Sequence, residues 1–215
     1  MKNLSKGTSL YEKAKSIIPG GTMLLSKRPE MFLPDNWPNY FSKAKGISVW
    51  DLDDNQFIDT SIMGIGTNSL GYGNPIVDEA VNRVIINGNM STLNCPEEVY
   101  LAEKLIEIEP WADMVRFART GGEANAIAIR IARAASGKDG VAYCGYHGWH
   151  DWYLSSNLNS EKDELKHQLL PNLTTYGIPK SLKKTSFPFH YNKIEQLEEI
   201  LKNQSIGVIK MEVYR

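Results

Sequence analysis

Residues 114–145, MVRFARTGGEANAIAIRIARAASGKDGVAYCG, decide the fold of this chain. The β-branched and aromatic residues at 114–119 predict a strand, and the TGGE segment at 120–123 predicts a tight turn. The apolar spacing that follows predicts a helix that ends at Gly137, and VAYCG at 141–145 predicts a second strand. Strand, turn, helix and strand form a βαβ unit, which is typical of a parallel sheet covered by helices in an α/β protein.

The rest of the chain supplies further pieces of an α/β architecture. Short β-type pieces lie between residues 31 and 60, where two antiparallel strands joined at a DDNQ turn form a small meander. Residues 157–190 are polar and mixed and predict no particular element. The other predicted elements are helices at 10–18, 74–88, 94–110 and 194–203 and a buried parallel strand that begins near 206.

These elements predict two parts. Residues 1–60 form an N-terminal helix and a β meander, and residues 61–215 form the first part of a larger α/β domain. Doubly wound sheets place ligands at the carboxyl ends of their strands. We therefore expect a functional site where the strands at 114–119, at 141–145 and near 206 end.

The composition excludes several classes of protein. The 215 residues carry 24 Lys and Arg against 25 Asp and Glu, so no net positive field favours nucleic acid or an anionic membrane. Apolar runs are far shorter than the roughly 20 residues that span a bilayer, and the N-terminus has no signal-peptide core. The two cysteines, Cys95 and Cys144, lie far apart and are expected to be buried thiols. The sequence therefore predicts a cytoplasmic protein without nucleic-acid or membrane partners.

The TGGE turn is the first candidate site. Gly121 and Gly122 lie at the start of the predicted helix, where backbone N–H groups and the helix dipole favour a phosphate. The same sequence also fits a plain capped turn between a strand and a helix. Both interpretations stay open on the residues alone.

The second candidate is the CGYHGWHD segment at 144–151, directly after the next strand. Its aromatic rings offer a stacking surface for a planar heterocycle, and His147 offers a hydrogen bond to a ring substituent. His147, His150 and Asp151 also have suitable ligand types for a metal ion. Simple aromatic packing with hydrogen-bonded histidines is the third interpretation.

Glu212 is the third candidate, because it lies where the last predicted strand ends. Lys210 is two residues earlier and so on the same face of that strand. An edge salt bridge explains the pair as well as a function does.

Taken in order, the motifs resemble the class-III pyridoxal-phosphate aminotransferases, and among them glutamate-1-semialdehyde 2,1-aminomutase and related enzymes. The resemblance covers most of residues 9–154 and resumes at 206–213. The motifs that carry it are YEKAKSIIPGG (11–21), KAKGISVWDLDDNQFIDT (43–60), LGYGNP (70–75), PEEVYLAEKL (96–105), MVRFARTGGEANAIAIRIARAASGKD (114–139) and YCGYHGWHDWYL (143–154).

The resemblance implies a fold-type-I transferase and assigns roles in binding pyridoxal 5′-phosphate (PLP). The backbone of Gly121 and Gly122 would hold the phosphate, and Tyr146 would stack on the pyridine ring. His147 would be its neighbour, and Glu212 matches the glutamate of the family's Glu-Pro strand end. Gly122 departs from the family pattern, which has serine or threonine there, and so lacks one hydroxyl donor.

The resemblance also implies the function. The complete protein would be a homodimeric aminotransferase or aminomutase that moves an amino group to or from a small carbonyl substrate. The lysine that binds PLP covalently is expected after Arg215, and so residues 1–215 alone are expected to be inactive, with no catalytic residue of their own. The alternatives are a metal-dependent hydrolase that uses His147, His150 and Asp151, or a non-catalytic scaffold or dimer partner.

Overall fold

The computed structural model describes residues 4–34, 36–159, 164–166, 168 and 174–213. The chain divides into two compact units, Met1–Pro96 and Glu97–Arg215. The division predicted from sequence, after residue 60, stays a prediction about the domains of the complete protein.

The first unit contains a helix and an antiparallel meander. Helix α1 (Ser5–Ile17) ends before the Pro19-Gly20-Gly21 breaker, as predicted. Strands β1 (Phe41–Lys45), β2 (Ser48–Asp51) and β3 (Gln56–Ile58) pair antiparallel in the order β1-β2-β3, which confirms the predicted meander.

Helix α2 (Pro75–Asn87) follows in the same unit. The side chain of Asn74 caps it by accepting hydrogen bonds from the N–H groups of Ile76 and Val77, and Pro75 occupies the first helical position. The piece predicted as β-type at 31–33 is wrong, because Pro29–Met31 form a short 3-10 helix. Proline at the first position fixes a φ that suits such a turn.

The second unit is built on a parallel sheet. In chain order its elements are α3 (Pro96–Ile108), α4 (Gly121–Ser136), β4 (Gly140–Cys144), α5 (Asp151–Leu154), β5 (Ser186–Pro188), α6 (Ile194–Asn203) and β6 (Ile206–Met211). The strand order is β5-β4-β6, and both neighbours run parallel to β4. The α/β class predicted from the sequence is therefore confirmed.

Strand β4 is the centre of this unit, and all five of its residues are buried. Val141 and Tyr143 face one side, where they pack with Ile129 of α4 and with Trp152 and Tyr153 of α5. Because side chains alternate along a strand, Ala142 and Cys144 belong to the opposite face, in a cluster with Phe189 that partly buried residues of α6 cover.

Two sequence expectations need correction. Residues 114–118 form no strand, although their β-branched and aromatic residues predict one. A strand needs a neighbour to pair with, and no described residue pairs with this segment. Strand β6 is parallel as predicted but only partly buried, because it lies at an edge of the three-stranded sheet.

Within the described part of the chain, no helix has both the length and the apolar character that crossing a bilayer requires.

Candidate functional site

The first turn of α4 is capped and also keeps unused donors. Thr120 Oγ1 accepts a hydrogen bond from Glu123 N at 3.2 Å, and Glu123 Oε2 accepts one from Arg119 N at 2.8 Å. This arrangement is close to a capping box, so the turn is capped as one of the two interpretations expects. The N–H groups of Gly121 and Gly122 still have no acceptor inside the helix, as is general for a first turn.

Space for a ligand lies beside Gly121. A Cβ atom placed on Gly121 would meet no atom within 4 Å, so the space beside this residue is open. Open space, N–H donors without an acceptor inside the helix and the positive end of a 16-residue helix are features that could hold an anion.

The loop after β4, residues 145–150, packs directly against this helix end. Gly148 has a φ of +102°, and a Cβ atom on it would lie 2.9 Å from Gly122 Cα. Only glycine fits such a close backbone contact. Asn125 Nδ2 of α4 also donates to the carbonyl oxygen of His147 at 3.2 Å. These contacts bring the two candidate segments together along one continuous edge, although no strand forms before the TGGE turn.

Tyr146 presents aromatic surface on this loop. Its side chain is 40% exposed, and its ring contacts Tyr153 edge to face with 6.2 Å between the centroids. A ring that is fixed on one side and open on the other suits stacking on a planar ligand.

His147 lies beneath the loop and is only 3% exposed. Its Nε2 is 2.9 Å from the carbonyl oxygen of Cys144, so this nitrogen carries the proton and donates. The ring lies among those of Tyr143, Trp152 and Tyr153, with centroids 6.1 to 6.3 Å away. The structure thus places His147 as a residue that fixes the loop.

The metal interpretation of the HxxHD cluster finds no support in this geometry. No group of three or more His, Cys, Asp or Glu side chains among the described residues is arranged to hold a metal ion. The Nε2 atom of His147 is already bonded to the carbonyl oxygen of Cys144.

Glu212 joins the same edge from β6. Its N–H donates to the carbonyl oxygen of Cys144 at 3.3 Å. Its carboxyl group lies against the backbone of Gly145, where a Cβ atom would come within 2.7 Å of Glu212 Cδ. Gly145 has a φ of +100°, so both its conformation and this contact require glycine. Four of the predicted residues, Gly121, Gly122, Tyr146 and Glu212, therefore lie along one edge of the unit.

Gln168 is a residue of this site that the sequence did not reveal. It is fully buried, its Oε1 accepts from Gly145 N at 2.7 Å, and its Nε2 donates to the Phe189 carbonyl at 3.1 Å. Tyr153 Oη donates to the Gly145 carbonyl at 3.1 Å. Gln168 and Tyr153 thus hold both backbone groups of Gly145, next to Tyr146. Gln168 lies in the mixed polar stretch 157–190, where no periodic pattern marks it.

Tyr143 supports the loop from the core below it. Tyr143 is buried, and its hydroxyl shares a hydrogen bond of 2.5 Å with Ser156 Oγ. Burial raises the pKa of Tyr143 above its ordinary value. Its phenol therefore stays neutral at physiological pH and serves as a structural support for the loop.

Comparison with known proteins supplies the context for this edge. The family described as aminotransferase class-III matches residues 34–212. The chain is 35% identical over 210 residues to the 3-aminobutyryl-CoA aminotransferase of Cloacimonas acidaminovorans, covering 96% of this chain and 46% of the relative. It is 34% identical over 216 residues to the glutamate-1-semialdehyde 2,1-aminomutase of Methanothrix thermoacetophila, covering 98% and 47%.

A solved structure of a protein with PLP has a similar fold. The PLP internal aldimine form of the FumI protein of Sphingopyxis sp. MTA144 superposes with a TM-score of 0.74 at 26% identity, covering 92% of this chain and 43% of that one. The chain thus spans slightly less than half the length of the relatives that it matches.

Proposed function

This chain belongs to the class-III aminotransferase family, and from that premise we propose that the protein containing it is a PLP-dependent aminotransferase or aminomutase. It would move an amino group to or from a small carbonyl substrate. The two relatives named above carry one activity of each kind in their names, which supports the reaction class and leaves both forms within the proposal.

The observation that carries the proposal is the single edge shared by the first turn of α4 and the loop after β4. The N–H groups of Gly121 and Gly122 would hold the phosphate of PLP, with open space beside Gly121 to receive it. The half-exposed ring of Tyr146 would stack on the pyridine ring. The residues present therefore fit both ends of the cofactor.

PLP, when bound, supplies an electron sink for the carbon that carries the amino group. The residues of this chain would bind the cofactor and orient it. Gln168 and Tyr153 fix Gly145, and this orients Tyr146 beside it. Asn125 and the buried His147 fix the next part of the loop against α4 and β4.

Glu212 would act on the cofactor side of the same edge. Its carboxyl group is held against Gly145, one residue before Tyr146. A carboxylate there places negative charge beside the ring-stacking residue and helps to exclude bulk water from that side.

Absorbance spectroscopy of the full-length protein tests the reaction. After PLP is added, an amino donor is expected to convert the cofactor to its amine form, and a matching carbonyl acceptor should reverse the change. An aminomutase would isomerise one substrate without net release of a second carbonyl product. Absence of spectral conversion with every donor and acceptor tried would contradict the proposal.

A homodimer and a cytoplasmic location complete the proposal. Exposed apolar side chains on α2, such as Ile76 and Ile86 at 79% and 83%, are suited to burial in an interface. The near-neutral formal charge of −1 gives no reason to expect a membrane or nucleic-acid partner. Analytical ultracentrifugation of the full-length protein tests the dimer, and a monomer at micromolar concentration would exclude it.

A further inference from the structure

The ring of His150 lies against the first turn of α4. A Cβ atom placed on Gly122 would be 3.1 Å from both Cδ2 and Nε2 of His150. The ring edge that carries a nitrogen therefore occupies the place into which a side chain at position 122 would extend. Gly122 leaves room for this ring, and a larger residue would compete with it.

Several contacts fix His150 in this position. Its carbonyl oxygen accepts hydrogen bonds from the N–H groups of Tyr153 (2.9 Å) and Leu154 (3.1 Å) in helix α5. Its ring contacts that of Trp149, with 5.2 Å between the centroids. The close approach of Gly148 to Gly122 holds the preceding part of the loop. The fold of the loop therefore sets the backbone position of His150, from which its ring reaches Gly122.

The nitrogens of this ring are available for a ligand. The side chain is only partly buried, and no described residue forms a hydrogen bond with either ring nitrogen. In this respect His150 differs from His147, whose Nε2 is bonded to Cys144. An imidazole N–H beside unbonded backbone N–H groups adds a further donor for an anion.

We propose that His150 is a phosphate-binding residue of this protein, acting together with the backbone of Gly121 and Gly122. The ring N–H donates to the same phosphate that the first turn of α4 receives, and glycine at position 122 is what admits the ring. This inference rests on the proposed PLP-dependent function, because PLP supplies the phosphate.

The test is the affinity of the full-length protein, prepared without cofactor, for PLP and for pyridoxal, which lacks the phosphate. His150→Phe keeps a ring of similar position but has no donor, and His150→Gln keeps a donor. We expect His150→Phe to weaken PLP binding about tenfold to a hundredfold, the range of one hydrogen bond to a charged group. Pyridoxal binding should change less than threefold, and His150→Gln should retain most of the affinity for PLP.

Position 122 provides an independent check. Gly122→Ser places a side chain where the His150 ring lies, and so it should weaken PLP binding in the wild-type background. In a His150→Ala background the same serine has room and should strengthen PLP binding relative to His150→Ala alone.

The outcomes separate this inference from the function on which it rests. If His150→Phe binds PLP as the wild type does, or weakens PLP and pyridoxal equally, His150 does not bind the phosphate, while the PLP-dependent function stands. If the wild-type protein shows no preference for PLP over pyridoxal, the phosphate site at α4 is overturned together with the role of His150.

Discussion

Replacing Gly148 by alanine is expected to separate the loop after β4 from the first turn of α4. The φ of Gly148 is +102°, which other residues rarely adopt, and the new Cβ atom would lie 2.9 Å from Gly122 Cα. Carbon atoms in favourable contact lie about 3.5 to 4.0 Å apart. The loop or the helix end must therefore move by on the order of 1 Å.

The expected magnitude follows from two costs. A residue held in a sparsely populated backbone region costs about 1 to 3 kcal/mol, and an extra carbon in a packed contact costs about 1 to 3 kcal/mol. Gly148→Ala should therefore lower the free energy of unfolding by about 2 to 6 kcal/mol. Gly137→Ala is the matched control, since Gly137 also has a positive φ of +65° but a Cβ atom there meets nothing within 4 Å. Its expected cost is about 1 to 2 kcal/mol.

The assay has two readouts on the full-length protein. Urea denaturation monitored by tryptophan fluorescence gives the free energy of unfolding. Titration of each folded variant with PLP gives its affinity for the cofactor. Gly148→Ala should lose both stability and affinity, and Gly137→Ala should lose only stability. Equal losses of stability in the two variants, with PLP affinity unchanged in Gly148→Ala, would refute the close contact between loop and helix.

Three further predictions concern stability. Thr120→Ala removes the cap of α4 and should lower the free energy of unfolding by about 1 kcal/mol, and an unchanged urea midpoint would contradict this. Gln168→Leu leaves the N–H group of Gly145 and the carbonyl oxygen of Phe189 without their partner. It should lower the free energy of unfolding by about 1 to 3 kcal/mol for each group in the same urea assay. A loss below about 0.5 kcal/mol, which is the size expected for a surface substitution, would show that the loop does not depend on Gln168. Hydrogen bonds from Ser61 and then Tyr72 lower the pKa of Asp59. These hydrogen bonds therefore stabilise the folded protein fully above about pH 3.9, the pKa of an aspartate in the unfolded chain. The stabilisation is lost as the pH falls through the lower pKa that Asp59 has in the folded protein. Asp59→Asn should flatten the fall in thermal stability between about pH 5 and pH 2, whereas an identical pH profile in wild type and variant would exclude this role.

Local signals in the sequence predict much of this fold. Asn74 before Pro75, and Gly137 after the apolar run of α4, mark helix ends because caps and breakers act within a few residues. The meander is also predictable, since its turn is short and its strands are neighbours in the chain.

The failures come from interactions between distant residues. The segment 114–118 has strand-like residues, but pairing depends on a neighbour that local pattern does not supply. The burial of His147 and the role of Gln168 depend on contacts formed only when the chain folds, such as the bond from Gly145, 23 residues away from Gln168.

In the candidate site, too, some residues can be predicted from local sequence and others depend on contacts between distant residues. Gly121 and Gly122 are predicted from the glycine turn and Tyr146 from the loop after β4, because both features are local in the sequence. Their role in binding a cofactor stays a prediction. The contact of His150 with Gly122 depends on the conformation of Gly148, which fixes the loop against α4, and only the structure shows it.

A crystal structure of the full-length protein grown with PLP would show directly where the cofactor binds. The phosphate is expected within hydrogen-bonding distance of the N–H groups of Gly121 and Gly122, and the ring of Tyr146 is expected to stack on the pyridine ring. PLP bound with its phosphate away from the first turn of α4, or with Tyr146 turned away from the cofactor, would contradict this arrangement.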